Sequence, residues 1–82
     1  MHHKVVLVVA DSCPYCPKAK EIWESLKRRY NFEFKIVDAV SEEGRELVRK
    51  YNIMAVPTTL IDDKIVFIGV PDMNKAVEFI LK

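Results

Sequence analysis

Two cysteines stand three positions apart near the start of the chain, in the order Cys13-Pro14-Tyr15-Cys16, and the chain has no others. A disulfide between them would close a very short loop, so it would remove little entropy from the unfolded chain and add little stability. In a reducing compartment, such a pair more often carries out redox chemistry or binds a metal than forms a disulfide that stabilises the fold. The spacing therefore indicates a reactive site.

The segments around the pair predict how the two sulfurs differ. Val5 to Ala10 is an unbroken apolar run that reads as a buried strand, and apolar residues then recur every three or four positions from Pro14 to Tyr30, as on one helix face. We expect Cys13 at the helix N-terminus, where unpaired N–H groups and the helix dipole favour a thiolate. Cys16, almost one turn later, should face inward. This geometry predicts Cys13 as the nucleophile and Cys16 as the resolving thiol.

A metal centre is the main alternative for a bare cysteine pair. A zinc site would need His2 and His3 as further ligands, but these residues precede the first strand, about 25 Å from Cys13 by strand rise. A purely structural role as small core residues is poorly compatible with the neighbouring prolines. We therefore expect no metal site and no cofactor, with electrons entering and leaving through the two sulfurs.

The rest of the chain predicts an α/β architecture. A second strand runs to about Asp38, Ser41 caps a short helix, and Asp72 caps a last one. Two apolar runs between these helices, Thr58–Ile61 and Ile65–Ile68, read as a hairpin. The order β-α-β-α-β-β-α gives a four-stranded mixed sheet flanked by helices, with residues 1–82 forming a single domain.

Composition excludes several classes of partner. Lys and Arg number 13 against 12 Asp and Glu, for a formal net charge of +1, so the balance favours neither nucleic acid nor an anionic membrane. The apolar run Val5–Ala10 is shorter than the core of a signal peptide and far shorter than a membrane span. The sequence thus predicts a cytoplasmic monomer.

The segment that precedes the hairpin completes a family pattern. Cys13-Pro14-Tyr15-Cys16 has the form of the glutaredoxin active site, and Ile53-Met54-Ala55-Val56-Pro57-Thr58 resembles the segment that carries a cis-proline facing the dithiol. Over nearly its whole length, the chain resembles the thioredoxin/glutaredoxin superfamily. Its size and element order match the minimal thioredoxin fold, and it most resembles the small glutaredoxin-sized, thioredoxin-like proteins of archaea and bacteria.

The resemblance implies a thiol–disulfide oxidoreductase that serves electron transport and cell redox homeostasis. Its substrates would be disulfide-containing proteins, and its electron donor would be a thioredoxin-type reductase or glutathione. Cys13 and Cys16 would be catalytic. The substrate-binding residues would be Tyr15, Val56, Pro57 and Gly69, with Val56 pairing its backbone with an extended partner, a cis Val56–Pro57 bond, and Gly69 allowing close approach.

Departures from the family pattern leave alternatives open. Glutaredoxins often carry Lys where this chain has Ala10, and a Gly-Gly pair where it has Gly69-Val70, so the glutathione site is half present. Thioredoxins carry a buried acid where this chain has Leu7. A glutathione-dependent glutaredoxin is one alternative. A carrier of metal or of an Fe–S cluster, ligated by Cys13 and shared between two chains, is the other.

Overall fold

A computed structural model of the protein describes residues 3–82. Its elements follow the predicted order, with bounds β1 (Lys4–Val9), α1 (Cys16–Arg29), β2 (Glu33–Asp38), α2 (Glu42–Tyr51), β3 (Thr58–Ile61), β4 (Lys64–Ile68) and α3 (Met73–Leu81). Within this part of the chain, no helix combines the length and the apolar composition needed to cross a bilayer.

The four strands form one mixed sheet in the order β2-β1-β3-β4. β1 pairs with β2 in parallel and with β3 antiparallel, and β3 pairs antiparallel with β4. Parallel neighbours need a long crossover, which α1 supplies, whereas antiparallel neighbours can be joined by a tight turn. The predicted α/β fold with a four-stranded mixed sheet is confirmed.

Strand β1 is buried on both faces of the sheet, as its unbroken apolar run predicts. Val5 and Leu7 belong to a core cluster with residues of α1 and α3, while Val6 and Val8 belong to a second cluster packed against α2. Consecutive side chains of a strand point to opposite faces. The strand that leads to the cysteines is therefore packed between α1 and α3 on one face and α2 on the other.

Both predicted helix caps are present. The Ser41 hydroxyl accepts a hydrogen bond of 3.0 Å from the backbone N–H of Gly44, and the Asp72 carboxylate accepts one of 3.1 Å from that of Lys75. Gly44 also allows α2 to approach the end of β2 closely, because a Cβ at this position would stand 1.9 Å from the Asp38 carbonyl oxygen. Each cap satisfies one of the free N–H groups of a first helical turn.

The start of β1 is tied to the turn between β3 and β4. The backbone N–H of Lys4 donates to Asp62 Oδ1 at 2.9 Å, and His3 Nδ1 lies 2.5 Å from Asp62 Oδ2. The hydrogen bond with the His3 ring, and then that from Lys4, lowers the pKa of the Asp62 carboxyl from its usual value of 3.8. Asp62 and Asp63 have φ angles of 51° and 66°, the left-handed backbone of a two-residue hairpin turn.

The start of α1 corrects one prediction. The helix begins at Cys16 rather than near Cys13 or Pro14, and Cys13 lies in the turn that precedes it. Pro17 occupies the first turn of the helix and lacks the N–H that would otherwise bond to the carbonyl of Cys13. That carbonyl instead accepts the N–H of Cys16 at 3.4 Å. Cys13 therefore stands before the helix N-terminus, not at its cap.

Candidate active site

The two cysteines form a disulfide across the turn between β1 and α1. Their Cα atoms are 5.4 Å apart, and the turn is closed by hydrogen bonds from Cys13 N to Ala10 O and from Cys16 N to Cys13 O. β1 fixes the start of this turn inside the sheet, and α1 begins at its second sulfur. The pair can accept two electrons and two protons to become a dithiol.

The two sulfur-bearing residues differ in exposure. Cys16 is 3% exposed, whereas Cys13 is only partly buried. Pro14 and Tyr15 between them are exposed, and Tyr15 is the residue before the first turn of α1. An incoming disulfide can thus reach Cys13 but not Cys16.

The segment before β3 lies against Cys13. The Val56–Pro57 peptide bond is cis, which confirms the prediction made from the resemblance. Val56 O stands 3.6 Å from Cys13 Sγ, and Pro57 is fully buried directly behind it. The turn is held by Thr58, whose hydroxyl donates to Ala55 O at 2.7 Å. The chain therefore presents the backbone of Val56 beside the more exposed sulfur.

Gly69 joins the site through Pro57. Its backbone N–H donates to Pro57 O at 2.7 Å, and its φ is 94°, a conformation that side chains rarely adopt. An added Cβ would meet nothing within 4 Å, so the space beside Gly69 is open to a binding partner. The structure thus places Cys16 and Val56 against Cys13, and it joins Gly69 to Pro57, the residue after Val56. Tyr15 remains in the adjacent turn as an exposed ring.

Exposed apolar or aromatic side chains lie on the segments that carry the site residues; we define Tyr15, Met54, Ile68 and Val70 as the apolar rim. Met54 precedes Val56 by two residues and is 88% exposed. Ile68, 71% exposed, pairs with Thr58 next to Pro57. Apolar side chains this exposed, on the segments next to a reactive site, indicate a surface for an apolar partner.

A small cavity opens beside the disulfide. Its volume is about 160 Å³, and both cysteines line it together with Asp11, Lys20 and residues at the end of β1. Neither Asp11 nor Lys20 was among the predicted site residues. The signal in the sequence is the spacing of Lys20, four positions after Cys16, which places the two on one helix face.

Of the two histidines that a zinc site would need, the structure describes only His3, which is not at this cavity. His2 lies outside the described residues, and His3 stands at the far end of β1 against Asp62. In residues 3–82, no three His, Cys, Asp or Glu side chains are grouped as metal ligands would be.

A larger open groove lies along α1 and the edge strand β2. Its volume is about 610 Å³, and its lining consists of Glu24, Lys27, Arg28, Phe34 and Ile36. Neither cysteine lines this groove. The chemistry of the dithiol therefore belongs to the smaller cavity and to the surface around Cys13.

A two-cysteine turn after a central strand, facing a cis-proline on a four-stranded mixed sheet, defines a redox protein of thioredoxin fold. The thioredoxin domain family matches residues 1–81, and the chain belongs to this family. It is therefore a thiol–disulfide oxidoreductase. It is 33% identical over 79 residues to a thioredoxin of Methanocaldococcus jannaschii, which covers 96% of this chain and 93% of that one.

Solved structures show the same fold. Fasciola hepatica thioredoxin superposes with a TM-score of 0.77 at 29% identity, covering 98% of this chain and 79% of that one. A protein disulfide oxidoreductase of Aeropyrum pernix superposes with a TM-score of 0.77 at 27% identity. That match covers 96% of this chain but 36% of the Aeropyrum chain, so this chain corresponds to about a third of its length.

Proposed function

We propose that this protein reduces disulfide bonds in other proteins, with Cys13 as the attacking thiolate and Cys16 as the resolving thiol. The observation that carries the proposal is the difference in exposure between the two residues. Cys16 is 3% exposed, so a protein disulfide can be attacked only by Cys13, which is partly open to solvent. The similarity to a protein disulfide oxidoreductase supports the substrate class.

The exchange proceeds in two balanced steps. The Cys13 thiolate attacks one sulfur of the substrate disulfide, so a mixed disulfide forms and the other substrate sulfur leaves as a thiolate. Cys16 then loses its proton and attacks Cys13 Sγ. The Cys13–Cys16 disulfide forms, and the second substrate sulfur leaves and is protonated. Two electrons have moved to the substrate, and the protein is left in the oxidised form of this structure.

Val56 and Gly69 position the partner chain in this proposal. An extended segment that runs beside Val56 would pair its backbone with that of Val56, as an added strand does at a sheet edge. Val56 O is already 3.6 Å from Cys13 Sγ, so a cysteine in that segment would lie close to the attacking sulfur. The open space at Gly69 leaves room for the partner's backbone.

The apolar rim favours protein disulfides over glutathione. Glutathione carries two carboxylates, which basic side chains would hold best. The residues of the rim instead present exposed apolar surface on the segments that carry the site residues, as at Met54 and Ile68. Burial of such side chains under a partner removes apolar area from water, which stabilises a protein complex. The electron donor would be a thioredoxin-type reductase that meets the same surface.

Parallel turnover assays test the proposal. Wild type is expected to reduce insulin disulfides with dithiothreitol as donor, and to reduce a glutathione mixed disulfide poorly. Cys13→Ser should be inactive in both assays, whereas Cys16→Ser should accumulate a covalent complex with insulin, visible by intact mass. Efficient turnover with glutathione that survives Cys16→Ser would establish a glutathione-dependent mechanism instead. An iron-loaded, coloured protein from anaerobic expression, inactive on insulin, would establish the cluster carrier.

A further inference from the structure

We infer that the Lys20 ammonium stabilises the Cys16 thiolate during the resolving step, and that the Asp11 carboxylate opposes it. The inference rests on the resolving role proposed above for Cys16. In this role Lys20 does not touch the substrate; it stabilises the negative charge that develops on the Cys16 sulfur. The observation behind it is the cavity of about 160 Å³ that Cys13, Cys16, Asp11 and Lys20 line together.

The chemistry requires such a charge partner. Cys16 must lose a proton before it can attack, because the thiolate and not the thiol is the nucleophile. With Cys16 only 3% exposed, little water solvates the thiolate, and burial disfavours the charged form of a thiol. A cation held at the same cavity favours the thiolate, and a carboxylate there disfavours it.

The helix places Lys20 toward Cys16. The two residues are four positions apart in α1, and helical side chains lean toward the N-terminus of the helix. This lean directs the Lys20 side chain toward the turn that holds Cys16, and both residues line the cavity. Lys20 is accordingly half-buried, whereas Lys18, on another side of the helix, is exposed and is not part of the cavity lining.

The other surroundings of the cavity are apolar. The end of β1 contributes Val9 and Ala10, and α1 contributes Pro17 beside Cys16. Of the residues that the structure describes as lining this space, Asp11 and Lys20 are therefore the two with ionisable groups besides the sulfurs. No ion pair within 4 Å joins them among residues 3–82, so neither charge is neutralised by the other.

The resolving step begins with loss of the Cys16 proton and ends with the Cys13–Cys16 disulfide. A single water molecule, which the cavity is large enough to admit, takes the proton of the Cys16 thiol, and the sulfur acquires its negative charge at the cavity that Lys20 also lines. The thiolate forms the bond to Cys13 Sγ as the bond between Cys13 and the substrate sulfur breaks. The substrate sulfur leaves with the electron pair and takes up a proton from water.

A stopped-flow experiment isolates this step without any protein partner. Reduced protein reacts with one equivalent of 5,5′-dithiobis(2-nitrobenzoate), and Cys13 releases the first coloured thiolate as it forms a mixed disulfide. Attack by Cys16 releases the second. We expect Lys20→Gln to slow the second phase about three- to tenfold at pH 7, with its rate–pH midpoint moved upward. Asp11→Asn should move that midpoint downward, and Lys20→Arg should retain the wild-type profile.

Lys18→Gln is the matched control, because it makes the same change of charge on the same helix away from the cavity. In a Cys13→Ser background, thiolate absorbance at 240 nm should show the same order of shifts for Cys16. Equal effects of Lys18→Gln and Lys20→Gln would overturn the inference, since they would show only a general charge effect. An unmoved second phase in Lys20→Gln would also overturn it. This assay contains no protein substrate. The effects of Lys18→Gln and Lys20→Gln on the resolving step can therefore be interpreted even if the protein does not reduce insulin.

Discussion

The indole of Trp23 donates a hydrogen bond of 3.1 Å from Nε1 to the hydroxyl of Thr59, and both residues are fully buried. The bond joins α1, which begins at Cys16, to β3, which begins directly after Pro57. It thus links the two elements that place the dithiol opposite the cis-proline segment. Edge-on packing of Phe32 on the Trp23 ring, with centroids 6.0 Å apart, fixes the indole further.

Removal of the acceptor of this bond should weaken the whole domain. Thr59→Val leaves the indole N–H buried without a partner, and we expect it to lower the free energy of unfolding by about 1–3 kcal/mol. Denaturant titration followed by fluorescence of Trp23 measures the loss.

A double-mutant cycle separates the bond from packing. Trp23→Phe alone removes the donor and also opens space in the core, so it should cost more than Thr59→Val. If the bond matters, Trp23→Phe with Thr59→Val together should be less destabilising than the sum of the two single changes. Simple additivity would show that the hydrogen bond contributes nothing beyond the contacts of each side chain. The two proteins that carry Trp23→Phe lack the only tryptophan, so their unfolding is followed by circular dichroism instead of fluorescence.

Gly44 should be intolerant of the smallest side chain. Alanine is favoured over glycine inside a helix by about 1 kcal/mol, so propensity alone predicts that Gly44→Ala would stabilise α2. The added Cβ would, however, stand 1.9 Å from the backbone oxygen of Asp38, which cannot rotate away. We expect a net loss of about 1–3 kcal/mol by thermal or denaturant unfolding. Glu46→Ala, at an exposed position of the same helix, should change stability little; an equally stable Gly44→Ala would contradict the packing described.

The Asp62 carboxyl should make stability depend on pH in the acid range. Its pKa is lowered in the folded protein, chiefly by His3 and then by the N–H of Lys4. The stabilisation is therefore full above the usual pKa of 3.8 and disappears as the pH falls through the lower, folded value. Asp62→Asn keeps a residue that tolerates the left-handed turn but removes the charge. Its stability should fall below that of wild type above pH 3.8, and the gap should close in acid.

The variant His3→Ala tests the cause of that dependence. It removes the larger of the two interactions that lower the pKa of Asp62, so it should reproduce part of the Asp62→Asn effect. The double variant should be little less stable than Asp62→Asn alone, because both changes act on one interaction. The effect is expected to be small, since the Asp62 side chain is about half exposed and salt screens it. A gap that persists unchanged at low pH would contradict this account.

Ile68 of the apolar rim should contribute to recognition of protein disulfides. We expect Ile68→Ser to raise the KM for insulin about fivefold with little change in kcat, because it removes about 1 kcal/mol of apolar contact with the partner. Reduction of hydroxyethyl disulfide, which is too small to cover the rim, should be unaffected. Leu81→Ser is the control, since Leu81 is 66% exposed but lies at the end of α3, outside the rim. If Ile68→Ser and Leu81→Ser raised the KM for insulin equally, the apolar rim would have no specific role in binding protein disulfides.

Features with a local cause were predictable from the sequence. Ser41 and Asp72 were found because a cap is a short-range signal, and β1 because a fully apolar run leaves no face for water. The start of α1 was misplaced although its cause is also local: Pro17 withholds the N–H that Cys13 O would accept in a longer helix.

Features that depend on distant segments were not predictable in the same way. Trp23 and Thr59 are 36 positions apart, and no spacing rule connects an indole to one particular hydroxyl across a sheet. The closeness of Gly44 to Asp38 depends on how α2 returns to β2, which tertiary packing decides. The cis bond before Pro57 was expected only through the family resemblance, because a single X–Pro pair is far more often trans. The cavity at Lys20 needed coordinates to be seen.

The double burial of β1 sets which backbone amides exchange their protons with solvent last. Val5 and Leu7 are held in one core cluster and Val6 and Val8 in the other, so the strand cannot open unless both helical layers separate. Its amides should exchange with deuterium only through global unfolding, at a rate that reports the full stability of the domain. The turn that leads to Cys13 begins directly after Val9, the last residue of the strand. The reduced and oxidised proteins should therefore differ in deuterium exchange at the amides near the turn. The amides of β1 should exchange last in both forms and so serve as the internal reference.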